Sequence, residues 1–404
     1  MPSASSLKGM KSNPEITLST RVLAVSPSVT LAIAAKAKEM KSQGIDVISL
    51  SAGEPDFDTP VYIKDAAIQS LQKGNTKYTP VSGTPELRKS IAAKLERDQN
   101  LVIPINQIIV STGAKHAIFN ILFALLNPAD EVIIPSPFWL SYPEMVTVLG
   151  GTSVLIKTTE ATHFKITPAL LKQAITSKSK VLILNSPSNP TGAVYTKEEL
   201  QALIEVLKDH PQILILSDEI YEKLIFDGMK HYSIASLDAE IATRTVIVNG
   251  MSKAYAMTGW RLGYAACPNK ALAQAVESIQ SHSTSNPNSF SQAGGVVALD
   301  QGDKDARMMS QSFEKRRNFF FDLIKQIPGM APFKPQGAFY LFANIQGTKM
   351  KSVELSEALL NEAHVAVVPG KPFGSDEHIR MSFASSEKSL EEAAKRIAAW
   401  LKKK

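Results

Sequence analysis

Five apolar runs of strand length, each cut off by a polar or glycine-rich cluster, constrain this chain more than any other feature. Gln107–Val110 leads into Ser111-Thr-Gly-Ala-Lys115, and Glu131–Ile134 into Pro135-Ser-Pro-Phe-Trp139. Val181–Leu184 leads into Asn185-Ser-Pro-Ser-Asn-Pro-Thr-Gly192, Ile213–Leu216 into Ser217-Asp-Glu-Ile-Tyr221, and Thr245–Val248 into Asn249-Gly-Met-Ser-Lys253. The last three runs end at 184, 216 and 248, 32 residues apart, which is the size of a strand–helix–strand crossover. Strands without polar alternation belong to a sheet covered on both faces. Between two of them, Thr196 and Glu199 form a capping box ahead of the stripe Leu200, Leu203, Ile204 and Leu207, a helix signal. The pattern predicts an α/β fold with a mostly parallel central sheet. Ligands of such sheets bind beyond the carboxyl ends of the strands, where these polar clusters lie.

The flanks read differently. Residues 1–20 read as a flexible arm without the apolar core of a secretory leader. Residues 21–60, with a helix over Leu31–Lys41, join a smaller domain, and 61–295 form the large one. From 296 the rhythm changes. A charged helix, Asp303–Ile327, precedes a strand over Gln336–Phe342 and a helix over Ser352–Ala363. Strands over Val365–Val368 and His378–Phe383 and a helix over Leu390–Leu401 complete a small α/β domain, 296–404.

A chain of 404 residues, 44% hydrophobic and 20% charged, buries a large core and is neither disordered nor fibrous. The single cysteine, Cys267, excludes an intrachain disulfide and a cysteine metal cluster, and suits the cytoplasm. The net charge of +6 comes from scattered lysines, which gives no nucleic-acid footprint. No apolar run approaches the ~20 residues that span a bilayer. The seven histidines have no ligand spacing, so no metal is expected.

The chemistry centres on Ser252-Lys253-Ala-Tyr-Ala-Met-Thr-Gly259-Trp-Arg261-Leu-Gly263. A lysine just past a strand, flanked by serine and followed by an arginine among glycines, suits pyridoxal phosphate. The lysine would form the Schiff base, while Ser252 and Arg261 would hold the phosphate. Gly113, Ala114 and Lys115 open a helical stretch, and the free N–H groups of a helix start bind phosphate. Asp218, at a strand's carboxyl end, can keep a pyridine nitrogen protonated; aspartate also favours helix N-caps. No Gly-x-Gly-x-x-Gly follows any run, which removes a dinucleotide enzyme. A non-catalytic module on the same fold would have no need of Lys253, Asp218 and Arg380 together.

From Arg21 to about Leu401 the chain resembles the fold-type I, class I aminotransferases, and most of all the bacterial-type I-beta aspartate aminotransferases, some of which act on prephenate. The matching segments are Ser51-Ala-Gly-Glu-Pro-Asp-Phe57, Tyr78, Ser186–Gly192, Ser217–Tyr221, the Lys253 motif and Arg380-Met-Ser-Phe383. The resemblance implies a large cofactor domain with a smaller α/β domain, pyridoxal 5′-phosphate, amino-acid and 2-oxo-acid substrates, and a homodimer. It implies that Trp139 stacks on the pyridine ring and that Asn189 and Tyr221 bond its oxygen. Arg380 would clamp the α-carboxylate, Gly53 would add a backbone contact, and Tyr78 would reach the phosphate of the neighbouring subunit. Lys115 would meet the distal carboxylate of aspartate under a strip containing Ser28 and Thr30. Aspartate with 2-oxoglutarate is the implied substrate pair. Prephenate, then aromatic or aliphatic amino acids, are the alternatives.

Overall fold

The computed structural model describes residues 17–404, and the first sixteen residues of the expected arm lie outside that range. Thr20, the last residue of that arm, starts a single helical turn, Thr20–Leu23, because the Ser19 hydroxyl accepts from Val22 N. Helix Val29–Ser42 then leads to a short strand, β1 (Ile48–Ser49).

The central sheet follows. Its strands are β2 (Ile108–Ser111), β3 (Glu131–Ser136), β4 (Thr152–Lys157), β5 (Ser179–Asn185), β6 (Leu214–Asp218), β7 (Thr245–Gly250) and β8 (Gly263–Ala266). They lie in the order β2-β8-β7-β6-β5-β3-β4. All run parallel except β8, which is antiparallel to both neighbours. Apolar side chains leave both faces: Val181 and Ile183 enter one core, Leu182 and Leu184 another. The capping box forms, with Glu199 N donating to the Thr196 hydroxyl and Thr196 N to the Glu199 carboxylate.

The C-terminal unit is built on β9 (Ala331–Phe333), β10 (Tyr340–Asn344), β11 (Val365–Ala366), β12 (Val368–Pro369) and β13 (His378–Ser382). Four of these form an antiparallel sheet in the order β12-β13-β10-β9. Two expectations need correction. The strand expected over Gln336–Phe342 begins only at Tyr340, because Gln336 N and Gly337 N both donate to the Gly192 carbonyl instead of a ladder. The run Val365–Val368 splits: β11 pairs with β1 and β12 with β13. β1 pairs with β11, and Ile33, Ala37 and Val47 pack on Leu360 and Ala366.

Candidate active site

A cleft of about 500 Å³ opens at the carboxyl ends of the parallel strands. Among its lining residues are Ser28, Thr30, Gly53, Ala114, Lys115, Trp139, Asn189, Asp218, Tyr221, Ser252, Lys253, Arg261 and Arg380. Gly113 stands directly behind, where an added Cβ would lie 2.7 Å from an Arg261 nitrogen. Tyr78 is not brought to this cleft; it is 90% exposed.

Lys253 follows β7, and its amine donates to the Gly53 carbonyl. Burial lowers its pKa to about 8; Glu54 opposes this, and Arg380 and Arg261 add to it. A fraction of the amine is therefore uncharged near neutral pH. Asp218 ends β6 almost fully buried. One of its oxygens accepts from the Tyr142 hydroxyl at 2.6 Å, the other from Ile220 N at 3.2 Å. Burial raises its carboxyl to about 6 despite these donors. A cationic partner in the cleft would restore its charge.

The helix Ala114–Leu125 starts beneath the cleft at Gly113, with φ of 86° and no side-chain cap. Its first N–H groups are thus free for an anion. Gly263 on β8 brings that start close, since a Cβ on it would collide with Ala114 N and the Gly113 carbonyl carbon. Arg261 donates to the Thr258 carbonyl at 2.9 Å and otherwise faces the same corner.

Arg380 lies in β13, 2% exposed. It donates to the Asn189 side-chain oxygen at 2.9 Å and the Ser51 carbonyl at 3.1 Å, and its Nε has no partner. No carboxylate among the described residues pairs with it. A buried, unpaired guanidinium is costly, so this site is made for an anionic ligand. Lys115 stands 4.9 Å from the Trp139 ring centroid. Burial, then Arg261, lowers its pKa. Ser28 stands at the N-cap position of the helix Val29–Ser42 without a side-chain capping bond, and its hydroxyl is 3.4 Å from that of Thr30.

Sequence reasoning missed Tyr142 and Tyr340. Tyr142 stands three residues after Trp139, at the start of helix Ser141–Val148, and that spacing was its only signal. Tyr340 sits in a run of aromatic residues that reads as core. Away from the cleft, Glu219, Glu222 and His231 gather within 4.8 Å. Gln99 donates to Glu219 at 2.7 Å and Glu222 at 2.8 Å, and Lys94 pairs with Glu222. Burial pushes Glu219 up, but His231, Ser233 and Lys94 outweigh it and hold its carboxyl at about 2. Among the described residues no helix is long and apolar enough to cross a membrane.

The sequence model of the family described as aminotransferase class I and II matches residues 45–397. An aspartate aminotransferase of Bacillus subtilis is 51% identical over 96% of this chain and 99% of its own. An aspartate/prephenate aminotransferase of Nitrosomonas europaea is 44% identical over 95% of this chain and 99% of its own. The crystal structure of the aspartate aminotransferase from Rhizobium meliloti superposes with a TM-score of 0.92 at 42% identity, covering 96% of this chain and 99% of that one. That of Thermus thermophilus with maleate gives 0.91 at 42%, covering 95% and 99%.

Proposed function

Because the chain belongs to the class I and II aminotransferases, we propose that it transfers the amino group of L-aspartate to 2-oxoglutarate, giving oxaloacetate and L-glutamate. The observation that carries this reading is a pair of cations in one cleft, Arg380 and Lys115, neither of which has a carboxylate partner among the described residues. A dicarboxylic amino acid supplies an anion for each.

Pyridoxal 5′-phosphate is the cofactor of this class, and the residues fit it. The uncapped helix start at Gly113 and Ala114, with Ser252 and Arg261, would hold the phosphate. Trp139 would cover the ring, Asn189 and Tyr221 would meet its oxygen, and Lys253 would hold it covalently. Bound there, it supplies an electron sink for charge at the amino acid's α carbon. Asp218 keeps a proton on the ring nitrogen, Tyr142 and Ile220 N fixing its carboxylate. The fork of Arg380 takes the α-carboxylate in two parallel bonds, with Asn189 fixing one edge. Lys115 takes the distal carboxylate. The amine of Lys253 would remove and return the α proton; its lowered pKa suits a base near neutral pH.

We read residues 61–295 as the cofactor domain and 21–60 with 296–404 as the small domain, supported by the β1–β11 pairing. The active form is a homodimer in which Tyr78 reaches the other subunit's phosphate. The lone buried Cys267 supports a cytoplasmic enzyme. Dual use of prephenate is the second reading, supported by Thr30 and Lys115 lining one cleft and by relatives such as that of Nitrosomonas europaea.

Half-reactions with aspartate, glutamate, phenylalanine, alanine and, with the amino form, prephenate test this by the cofactor's absorbance. Lys115→Ala is expected to lower kcat/KM for aspartate by roughly ten- to a hundredfold, the worth of a charge-assisted contact. Phenylalanine should change much less. An unchanged ratio between the two substrates would remove Lys115 as the selector.

A further inference from the structure

One residue on the inner wall of the cleft has no part in the roles above. Tyr340 opens β10, is 1% exposed, and lines the cleft. Its ring centroid lies 4.3 Å from the guanidinium carbon of Arg380. Its hydroxyl stands 2.9 Å from that of Tyr221, its only hydrogen-bond partner among the described residues. The register explains the placement. Phe342 lies opposite Arg380 and Tyr340 opposite Ser382, so Tyr340 is the diagonal, same-face neighbour of Arg380. Gly53 leaves it room, since a Cβ there would stand 3.2 Å from the Tyr340 hydroxyl.

We propose that Tyr340 is a positioning residue that couples the carboxylate clamp to the cofactor-facing phenol, its ring backing Arg380 and its hydroxyl donating to Tyr221. The inference rests on the aminotransferase reading, in which Arg380 meets the α-carboxylate and Tyr221 the cofactor's ring oxygen. A phenol has one hydrogen. If Tyr221 spent its own on Tyr340, none would remain for the cleft. With Tyr340 as the donor, the Tyr221 hydrogen points at the cofactor, and the chained bond strengthens it. Asn189 and Ser51 fix two edges of the guanidinium; the Tyr340 ring fixes its face.

The test compares wild type, Tyr340→Phe and Tyr340→Leu, all loaded with pyridoxal phosphate. The first readout is the pH titration of the bound cofactor's absorption. The second is the Kd for maleate, a dicarboxylate without an amine, measured where every variant is fully protonated. In Tyr340→Phe the absorption pKa should rise by about 0.3–1 unit, because a weaker donor leaves more negative charge on the ring oxygen to retain the neighbouring proton. Its maleate affinity should stay within about twofold, since the ring remains. Tyr340→Leu should show the same rise and bind maleate about five- to thirtyfold more weakly. Should Tyr340→Leu fail to fold, Tyr340→Met takes its place. An unmoved absorption pKa in Tyr340→Phe overturns the proposal, and so does wild-type maleate affinity in the variant lacking the ring. A wild-type protein with neither a titrating absorption nor maleate binding would bring down the aminotransferase reading itself.

Discussion

The lysine proposed to take and return a proton, Lys253, sits where its charge is costly. In Lys253 burial is the first cause, and it lowers the pKa from 10.5 to about 8. Below that value the folded and unfolded chains both hold the proton, and the folded one bears the full cost. Between about 8 and 10.5 the unfolded chain still binds a proton that the folded chain has released, so stability rises with pH across that window. Lys253→Met in the cofactor-free protein should therefore add roughly 1–3 kcal/mol of stability at pH 7. The gain should shrink as the pH approaches 10.5. Calorimetric midpoints at pH 7 and pH 10 decide the matter: equal gains at both would mean that the charge is not the cost. Lys253 was legible in sequence because its motif combines residue types around a strand end. Tyr142 and Tyr340 were not, because a tyrosine among apolar neighbours reads as core until its hydroxyl partner is seen, here Asp218 or Tyr221.

Elements were legible where one physical signal dominated. The five apolar runs became β2, β3, β5, β6 and β7 because strands buried on both faces carry no polar alternation. Two strands of the same sheet escaped. β4 lies at the sheet's edge with Leu155 51% exposed, so its run is diluted by polar residues. β8 consists of Gly263, Tyr264, Ala265 and Ala266, too small a set of side chains to announce a strand. Its smallness has a function, because the start of helix Ala114–Leu125 crosses Gly263 at backbone contact. Gly263→Ala should force that helix start away from the cleft. The expected result is a loss of about 1–3 kcal/mol from overpacking, together with weaker pyridoxal phosphate binding. Thr196→Ala, which removes the cap of helix Lys197–Lys208, should cost about 1 kcal/mol and leave cofactor affinity alone. Denaturant midpoints and cofactor titrations on both variants separate helix displacement from general loss of stability. Equal cofactor affinity in the two would refute the displacement.

At the scale of the whole molecule, the described residues of a single chain leave an apolar face uncovered. On helix Val61–Gln72, Val61, Ile68 and Leu71 are 65%, 51% and 48% exposed and fall on one stripe. Tyr78, six residues past the helix, is 90% exposed. Exposed apolar stripes of this kind mark association surfaces, which agrees with the homodimer proposed above, in which Tyr78 serves the partner's site. Composite sites make a quantitative prediction. Chains carrying Tyr78→Phe and chains carrying Lys253→Ala are each expected to be impaired alone. In a hybrid, one site holds both defects and the other holds neither. Random one-to-one mixing puts half of the dimers in hybrid form, each with one intact site, so activity should recover to about a quarter of wild type. If Tyr78 served its own chain's site, every hybrid site would keep one defect and nothing would be regained. Sedimentation of the unmixed protein supplies the second check, since a monomer at assay concentration would leave Tyr78 with no site to serve.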